Sequence, residues 1–480
     1  MNRRMVVYVS GKILQIEAIL LVLPALISVL YSEKSVWAFA LTALACVCAG
    51  TLLCIFSRPR TNIIYAKEGL VIVAMGWLLM SLFGALPFYL SREIPSYINA
   101  FFETVSGFTT TGASILTNIE AMSKGCLFWR SFTHWVGGMG VLVFVTAIIP
   151  NMSDRSIHII RAEMPGPIVG KLLPKVKDTS KILYIIYIVM TFVEIIFLTA
   201  GGLDLFESSV LSFGTAGTGG FALKGDSIGS YSPYIQWVIT LFMLMFGINF
   251  NLYFLIVIRR FRSALKSEEL WTYILIFLCT TILITFKVLP QYSGISEALR
   301  HSAFQVSSIM TTTGYSSTDF NLWPSFCKTL LIILMMIGSC AGSTAGGFKI
   351  SRLVIIFKTV KKECHRLIHP RSVKAIKFEG KALDTVTRHG VTAYLAVYVI
   401  CLLAVFLLVS LDNFSLETNF SATVACFNNI GPGFDGVGPL ASYADYSAFS
   451  KVVLSFAMLL GRLEIYPLIL TFSLGTWVKK

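Results

Sequence analysis

Apolar runs of about twenty residues, the length that crosses a hydrocarbon core, recur from one end of this 480-residue chain to the other. They fix the solvent before any other feature is considered: the chain folds in lipid. Composition agrees, with 55% hydrophobic residues, 13% charged residues and a mean hydropathy of +0.76. A water-soluble chain of this length needs far more charge to cover its surface. One membrane domain is therefore expected, although length alone would suggest three globular ones.

The runs have an order. Two spans, 13–31 and 36–57, form a hairpin across the turn at 32–35. A unit of span, short segment and span then recurs four times. Its members are 69–90, 97–108 and 127–150; 181–202, 204–216 and 232–258; 270–289, 295–311 and 326–357; and 389–411, 415–428 and 446–477. Repetition at a period of about 80 to 100 residues means one architecture was multiplied. The expected fold is an all-α polytopic membrane protein, with four pseudo-symmetric helix–pore-loop–helix repeats around one pore plus an N-terminal two-helix hairpin. Its parts are a hairpin at 1–66, repeat one at 67–150, a cytoplasmic loop with repeat two at 151–260, repeat three with an intramembrane loop at 261–358, and a second cytoplasmic loop with repeat four at 359–480.

The formal charge of +14 could suggest nucleic acid, but its placement argues otherwise. Basic residues crowd into alternate loops: Arg3, Arg4 and Lys12; Arg58, Arg60 and Lys67; Arg155, Arg161, Lys171, Lys175 and Lys177; Arg259, Arg260, Arg262 and Lys266. The richest loop, 349–388, carries Lys358, Lys361, Lys362, Arg366, Arg371, Lys374 and Lys377. By the positive-inside rule these loops are cytoplasmic, so each short segment enters from the outside. The outer stretch 411–445 has no Lys or Arg but holds Asp412, Glu417, Asp435 and Asp445, an acidic entrance suited to a cation. Arg3 and Arg4 precede the first apolar run as in a signal peptide, but no small-residue cleavage site follows, and the run reads as a retained helix. Of the ten cysteines, Cys46, Cys48, Cys54, Cys279 and Cys401 lie in apolar runs and Cys340 and Cys426 beside glycine-rich stretches; none has paired metal spacing.

The short segments cannot span. Each ends in a glycine-containing stretch: Thr109 to Ala113 (TTTGA), Gly217 to Phe221 (GTGGF), Thr311 to Tyr315 (TTTGY) and Asn428 to Gly433 (NNIGPG). Non-helical backbone at membrane depth survives only where protein or water satisfies it. Four such loops can meet on a pseudo-fourfold axis and offer carbonyls in place of an alkali cation's hydration shell. The expected filter residues are Thr110, Thr111 and Gly112; Gly217, Thr218 and Gly219; Thr312, Thr313 and Gly314; and Asn429, Ile430 and Gly431. A phosphate-binding loop is excluded at 342–349, because Phe348 stands where the lysine belongs. His365 and His369 have helical ligand spacing but no third ligand, so neither an enzyme nor a bound cofactor is expected.

These residues resemble the Trk/Ktr/HKT superfamily of potassium transport proteins, and within it the Trk-type membrane subunit with its two extra N-terminal spans. The resemblance covers nearly the whole chain. It rests on His134 to Gly140 (HWVGGMG) and on the third and fourth loops, 311–315 and 429–433. It implies potassium ion uptake across the bacterial inner membrane, with potassium as substrate rather than cofactor. It also implies a homodimer and a TrkA-like cytoplasmic nucleotide-binding regulatory subunit that the basic inner loops could receive. The run Ser339, Cys340, Ala341, Gly342, Ser343, Thr344, Ala345, Gly346 and Gly347 would unwind its helix below the filter and act as the gate, although small residues also serve close packing. Arg462, a charge inside an apolar span, is a functional hypothesis by default; the resemblance puts it in the pore as an electrostatic barrier, and a structural pairing is the alternative. Ala113, Gly220 and Pro432 depart from a fully repeated filter, which implies weaker selectivity, while Gly112 favours potassium over sodium. A sodium-coupled or less selective alkali-cation transporter of the Ktr type is the alternative function.

Overall fold

The computed structural model describes residues 2–59, 65–138, 140, 176–372 and 375–477. Residues 141–150 of the expected 127–150 span, the loop with Arg155, Arg161, Lys171 and Lys175, and Arg60 and Lys374 lie outside the described residues.

Among the described residues, six helices are long and apolar enough to cross a membrane: Arg3–Leu30, Val36–Phe56, Lys67–Leu90, Lys181–Ala200, Glu268–Gln291 and Thr385–Asp412. They are the two arms of the hairpin and the first helix of each repeat. Many helix starts in the chain, of spans, pore helices and second helices alike, are written in short polar residues. Asp204, Ser232, Ser267, Asp384, Ser415 and Ser447 each accept the N–H three residues on, satisfying a donor that a helix start leaves orphaned. Outward faces stay apolar, as with Trp37, Leu41 and Phe56 on the second helix and Ile400, Leu403 and Leu407 on the helix of repeat four. In the hairpin, glycine brings two backbones together: a Cβ on Gly11 would lie 2.7 Å from the Gly50 carbonyl oxygen.

Four shorter helices, Tyr97–Phe108, Leu205–Gly217, Ile295–Met310 and Leu416–Phe427, are the expected re-entrant segments, here called pore helices. Each is exposed in its first turn and buried along its C-terminal half, where other elements surround it. Aromatic side chains fill the gap between the first two repeats: Phe132 stacks on Phe128 and Trp135, and Phe213 packs edge-on against Phe128 and Phe132.

The second helix of each later repeat is interrupted; a continuous span is expected there in repeats two and four, but not in repeat three. In repeat two, Pro233–Phe246 and Phe250–Val257 meet at 89° across a break at 247–249. In repeat three, Ser325–Ile337 and Ile350–Ile368 are separated by the expected loop. In repeat four, Ala448–Arg462 stops at Glu464 and Ile465, whose φ values are +56° and +67°, and restarts at Tyr466 with Pro467 in its first turn. Helix Ile350–Ile368 carries basic residues onward, and a two-stranded hairpin, Lys377–Phe378 against Lys381–Ala382, follows.

Candidate ion filter and intramembrane loop

All four pore helices end in one backbone figure. The first residue past the last turn is left-handed: Thr110, Thr218, Thr312 and Asn429, with φ of 54°, 55°, 56° and 57°. The next N–H reaches back five residues into the pore helix: Thr111 to Ser106, Gly219 to Gly214, Thr313 to Ser308 and Ile430 to Ala425, at 2.8, 2.8, 2.8 and 2.9 Å. A glycine with positive φ follows: Gly112, Gly220, Gly314 and Gly431, at 80°, 76°, 84° and 94°. A side chain in the left-handed region costs roughly 1–2 kcal/mol, so the one such residue in each loop is held by its surroundings, as functional backbone strain commonly is, whereas the glycine that follows adopts its positive φ freely.

The register follows from this figure. In loop two the triplet matching the others is Thr218, Gly219 and Gly220; Gly217 is the last residue of its pore helix. Gly220 thus joins the expected set, one residue beyond where sequence placed its end. Tandem glycines allowed either register on paper, and only the backbone geometry separates them.

The four loops close a ring. A Cβ on Gly112 would overlap the Gly219 carbonyl oxygen, one on Gly220 that of Thr313, and one on Gly314 that of Ile430. One on Gly431 would lie 2.7 Å from the Thr111 carbonyl oxygen. Each loop therefore meets the next in the order one, two, three, four and back to one. Buried threonines brace the ring, with Thr109 bonded to Thr111 and Thr311 to Thr313, both at 2.8 Å. Asn429 replaces threonine in loop four and uses its amide to tie Thr111 Oγ1, at 3.0 Å, to the Met458 carbonyl, at 2.9 Å. Above the ring lies an open cavity of about 350 Å³ lined by Gly112, Gly220, Gly314, Gly431, Lys224 and Asp445 among others.

Behind the loops sits a charged cluster that sequence reading passed over. Arg130 and Glu103, both buried, pair at 2.6 Å. Glu103 also accepts from Ser114 Oγ and the Ile115 N–H, Arg130 donates to the Ala222 carbonyl, and its guanidinium lies 3.5 Å from the Phe221 ring centre. His134 joins loops one and two: Nδ1 bonds the Gly107 carbonyl at 2.7 Å, and Nε2 accepts the Phe221 N–H at 3.3 Å. That neutral tautomer is the one satisfying both bonds. The signal was present in the sequence, since Glu103 and Arg130 interrupt apolar segments as Arg462 does.

The expected loop of repeat three is non-helical from Gly338 to Lys349. Its neck is closed by Lys349 N–H to Ile337 O, at 2.9 Å, and Ile350 N–H to Ser339 O, at 3.0 Å. Gly338 and Gly347 cross there, each with positive φ, so close that a Cβ on either would meet the other's Cα. Part of its polar surface is satisfied by the other break. Gly247 O accepts Ser339 Oγ and Cys340 N–H, Phe246 O accepts Thr344 Oγ1, and Phe250 N–H donates to Gly342 O. Two interrupted helices thus pair their exposed backbones, the condition for irregular chain inside a membrane.

Arg462, half-buried, donates to three carbonyls: Thr344 of this loop at 2.7 Å, and Gly137 and Gly138 at 2.6 and 2.7 Å. The last two belong to the C-terminus of helix Lys124–Gly138, where the helix dipole welcomes a cation. Glu464 turns away and pairs instead with Arg352, at 2.6 Å. Lys349, also buried, bonds the Ala345 carbonyl. Among the described residues no group of three His, Cys, Asp or Glu is placed to hold a metal ion.

Pore helices entering a ring of strained loops, above an interrupted helix, define a pore-loop membrane protein built to conduct cations. The family model described as "TrkH: Cation transport protein" matches residues 36–476. The chain is 33% identical to the Trk system potassium uptake protein TrkH of Escherichia coli K12, covering 99% of this chain and 100% of that one. It is 30% identical to the Trk system potassium uptake protein TrkG of the same organism, over 99% and 98% of the two chains. The crystal structure of the potassium transporter TrkH from Vibrio parahaemolyticus superposes with a TM-score of 0.89, at 30% identity and full coverage of both chains. The chain belongs to the TrkH family of cation transport proteins, a family of transporters and not of enzymes.

Proposed function

We propose that this chain takes up potassium ions across the bacterial inner membrane, as a multi-pass protein whose four loops form the selectivity filter. The observation that carries the reading is the closed ring, in which each filter glycine lies against the carbonyl of the neighbouring loop. Glycine at that place leaves room for a carbonyl where a side chain would stand, so oxygens can replace an ion's water. Pore helices aim their negative C-terminal ends at the same centre, which favours a cation there.

In this reading the expected filter residues other than Gly217, joined by Gly220, bind the ion. The loop 339–347 blocks the path below and opens to pass it, and Arg462 latches it by binding Thr344. The relatives are named as parts of a Trk system, which supports further subunits. The finer reading is a homodimer acting with a TrkA-like nucleotide-binding regulatory subunit on the basic cytoplasmic face.

The test is rubidium uptake in a bacterium stripped of its own potassium uptake systems, comparing wild type with Gly314→Ser at matched membrane expression. Rescue by wild type that weakens, or begins to admit sodium, in the variant is expected. Equal rescue by both would remove the filter assignment, and no uptake by well-expressed wild type would remove potassium transport.

A further inference from the structure

The intramembrane loop has one tie that the reading above does not use. Glu269, buried near the start of helix Glu268–Val288, accepts the Ala341 N–H at 2.7 Å and the Ser351 N–H at 3.1 Å, both on Oε1. One lies inside the loop and the other just past its exit, so a single carboxylate oxygen clasps both arms of the neck. Neither N–H has water to fall back on, so removing this acceptor leaves two buried donors unsatisfied.

Glu269 is itself positioned from the cytoplasmic side. Its backbone N–H donates to Oε1 of Glu379 at 3.0 Å, and Ser267 Oγ donates to the same oxygen at 2.9 Å. Glu379 occupies the turn of the small hairpin, with φ of +50° beside Gly380 at +75°. The hairpin is seated by Phe378, which is buried against Ile355 and Val391. A side chain 110 residues away in sequence therefore caps the helix start that carries Glu269. Helix, loop neck and hairpin form one connected line of hydrogen bonds.

We propose that Glu269 is a positioning residue for the intramembrane loop, and that Glu379 sets where Glu269 stands, so that displacement of the 377–382 hairpin is passed to both arms of the loop. The proposal rests on the loop being the gate. A bland alternative, two carboxylates that only cap and stabilise, predicts different data.

The experiment uses the full chain in lipid nanodiscs for amide exchange, and in vesicles for rubidium flux. Glu269→Ala is expected to raise exchange at Ala341 and Ser351 about tenfold, the loss of roughly one net hydrogen bond, and to raise flux several-fold. Glu269→Gln keeps an acceptor at the same reach and stays within about threefold of wild type. Glu379→Ala moves loop exchange in the same direction, and the double variant goes no further than Glu269→Ala, since the two act in series. Wild-type loop exchange in Glu379→Ala, or additive effects in the double variant, overturns the relay. Glu269→Gln behaving like Glu269→Ala overturns positioning by acceptor geometry. Altered exchange with unchanged flux would keep the relay and instead remove the gate reading. Should Glu269→Ala fail to fold, Glu379→Ala alone still decides.

Discussion

The backbone N–H of Gly346 donates to Oγ1 of Thr312 at 2.7 Å, so the tip of the intramembrane loop touches loop three of the ring. Thr312 is the left-handed residue of loop three, and Gly346 packs so near loop four that a Cβ there would lie 2.5 Å from the Asn428 carbonyl oxygen. The ring of loops and the intramembrane loop below it are thus joined by a direct hydrogen bond.

Replacing Thr312 by Val keeps the shape and removes that acceptor, leaving a buried N–H unsatisfied at a cost of about 1–3 kcal/mol. The loop should loosen, and rubidium leak through the resting protein should rise, while Thr312→Ser stays close to wild type. Flux recordings on vesicles check this; equal leak in the Val and Ser variants would show that the bond does not hold the loop.

Gly220→Ser should broaden ion selectivity toward sodium, because φ of +76° and the Thr313 carbonyl leave no place for a Cβ. Gly225, with open space around it, is the control, and Gly225→Ser should behave as wild type. The measurement is rubidium uptake with sodium as competitor. Unaltered competition in Gly220→Ser would take Gly220 out of the filter.

Arg462→Lys retains the charge but not the planar fork that reaches Thr344 and the two glycine carbonyls together. Resting flux should rise in this variant, and rise more in Arg462→Gln. A lysine variant indistinguishable from wild type would mean that charge alone suffices.

Arg130→Met strands the Glu103 carboxylate in a buried site, which typically costs about 3–5 kcal/mol. Thermal unfolding in detergent should show a large loss. Pairing it with Glu103→Gln should restore much of the stability, and a double variant as weak as Arg130→Met would indicate that the guanidinium matters for more than neutralising Glu103.

Ser415 and Thr418 hydroxyls donate to the Asp435 carboxylate at 2.5 and 2.7 Å and hold it below the usual carboxylate range. A depressed folded-state value means that the stabilisation is complete above the unfolded value of about 3.9 and is lost as pH falls through the folded one. The gap in unfolding temperature between wild type and Asp435→Asn should be constant from about pH 7 to 5 and close below about pH 4. A gap that has not narrowed at all by pH 3 would point to geometry rather than charge.

Sequence alone determined that this chain lives in lipid, that four units repeat, and where the pore helices lie, within a residue or so at each end. These follow from local chemistry: an apolar run of fixed length, a polar cap, and a glycine where a left-handed turn is needed. The unwinding at 338–347 was legible for the same reason, since a dense run of small residues offers little to hold a helix. Tertiary structure decided the rest. Loop two could be registered on Gly219 or Gly220 until the ring placed each glycine against its neighbour's carbonyl. The breaks at 247–249 and 464–465 carry no dense small-residue run; the first hands its freed Gly247 carbonyl to the intramembrane loop, and the second turns its freed N–H groups back onto its own helix. Arg130 meets Glu103, Glu269 meets Ala341 and Ser351, and Thr312 meets Gly346 across 27 to 82 positions of chain. No local pattern encodes such contacts, because their energy exists only once distant helices are packed and water is excluded from between them.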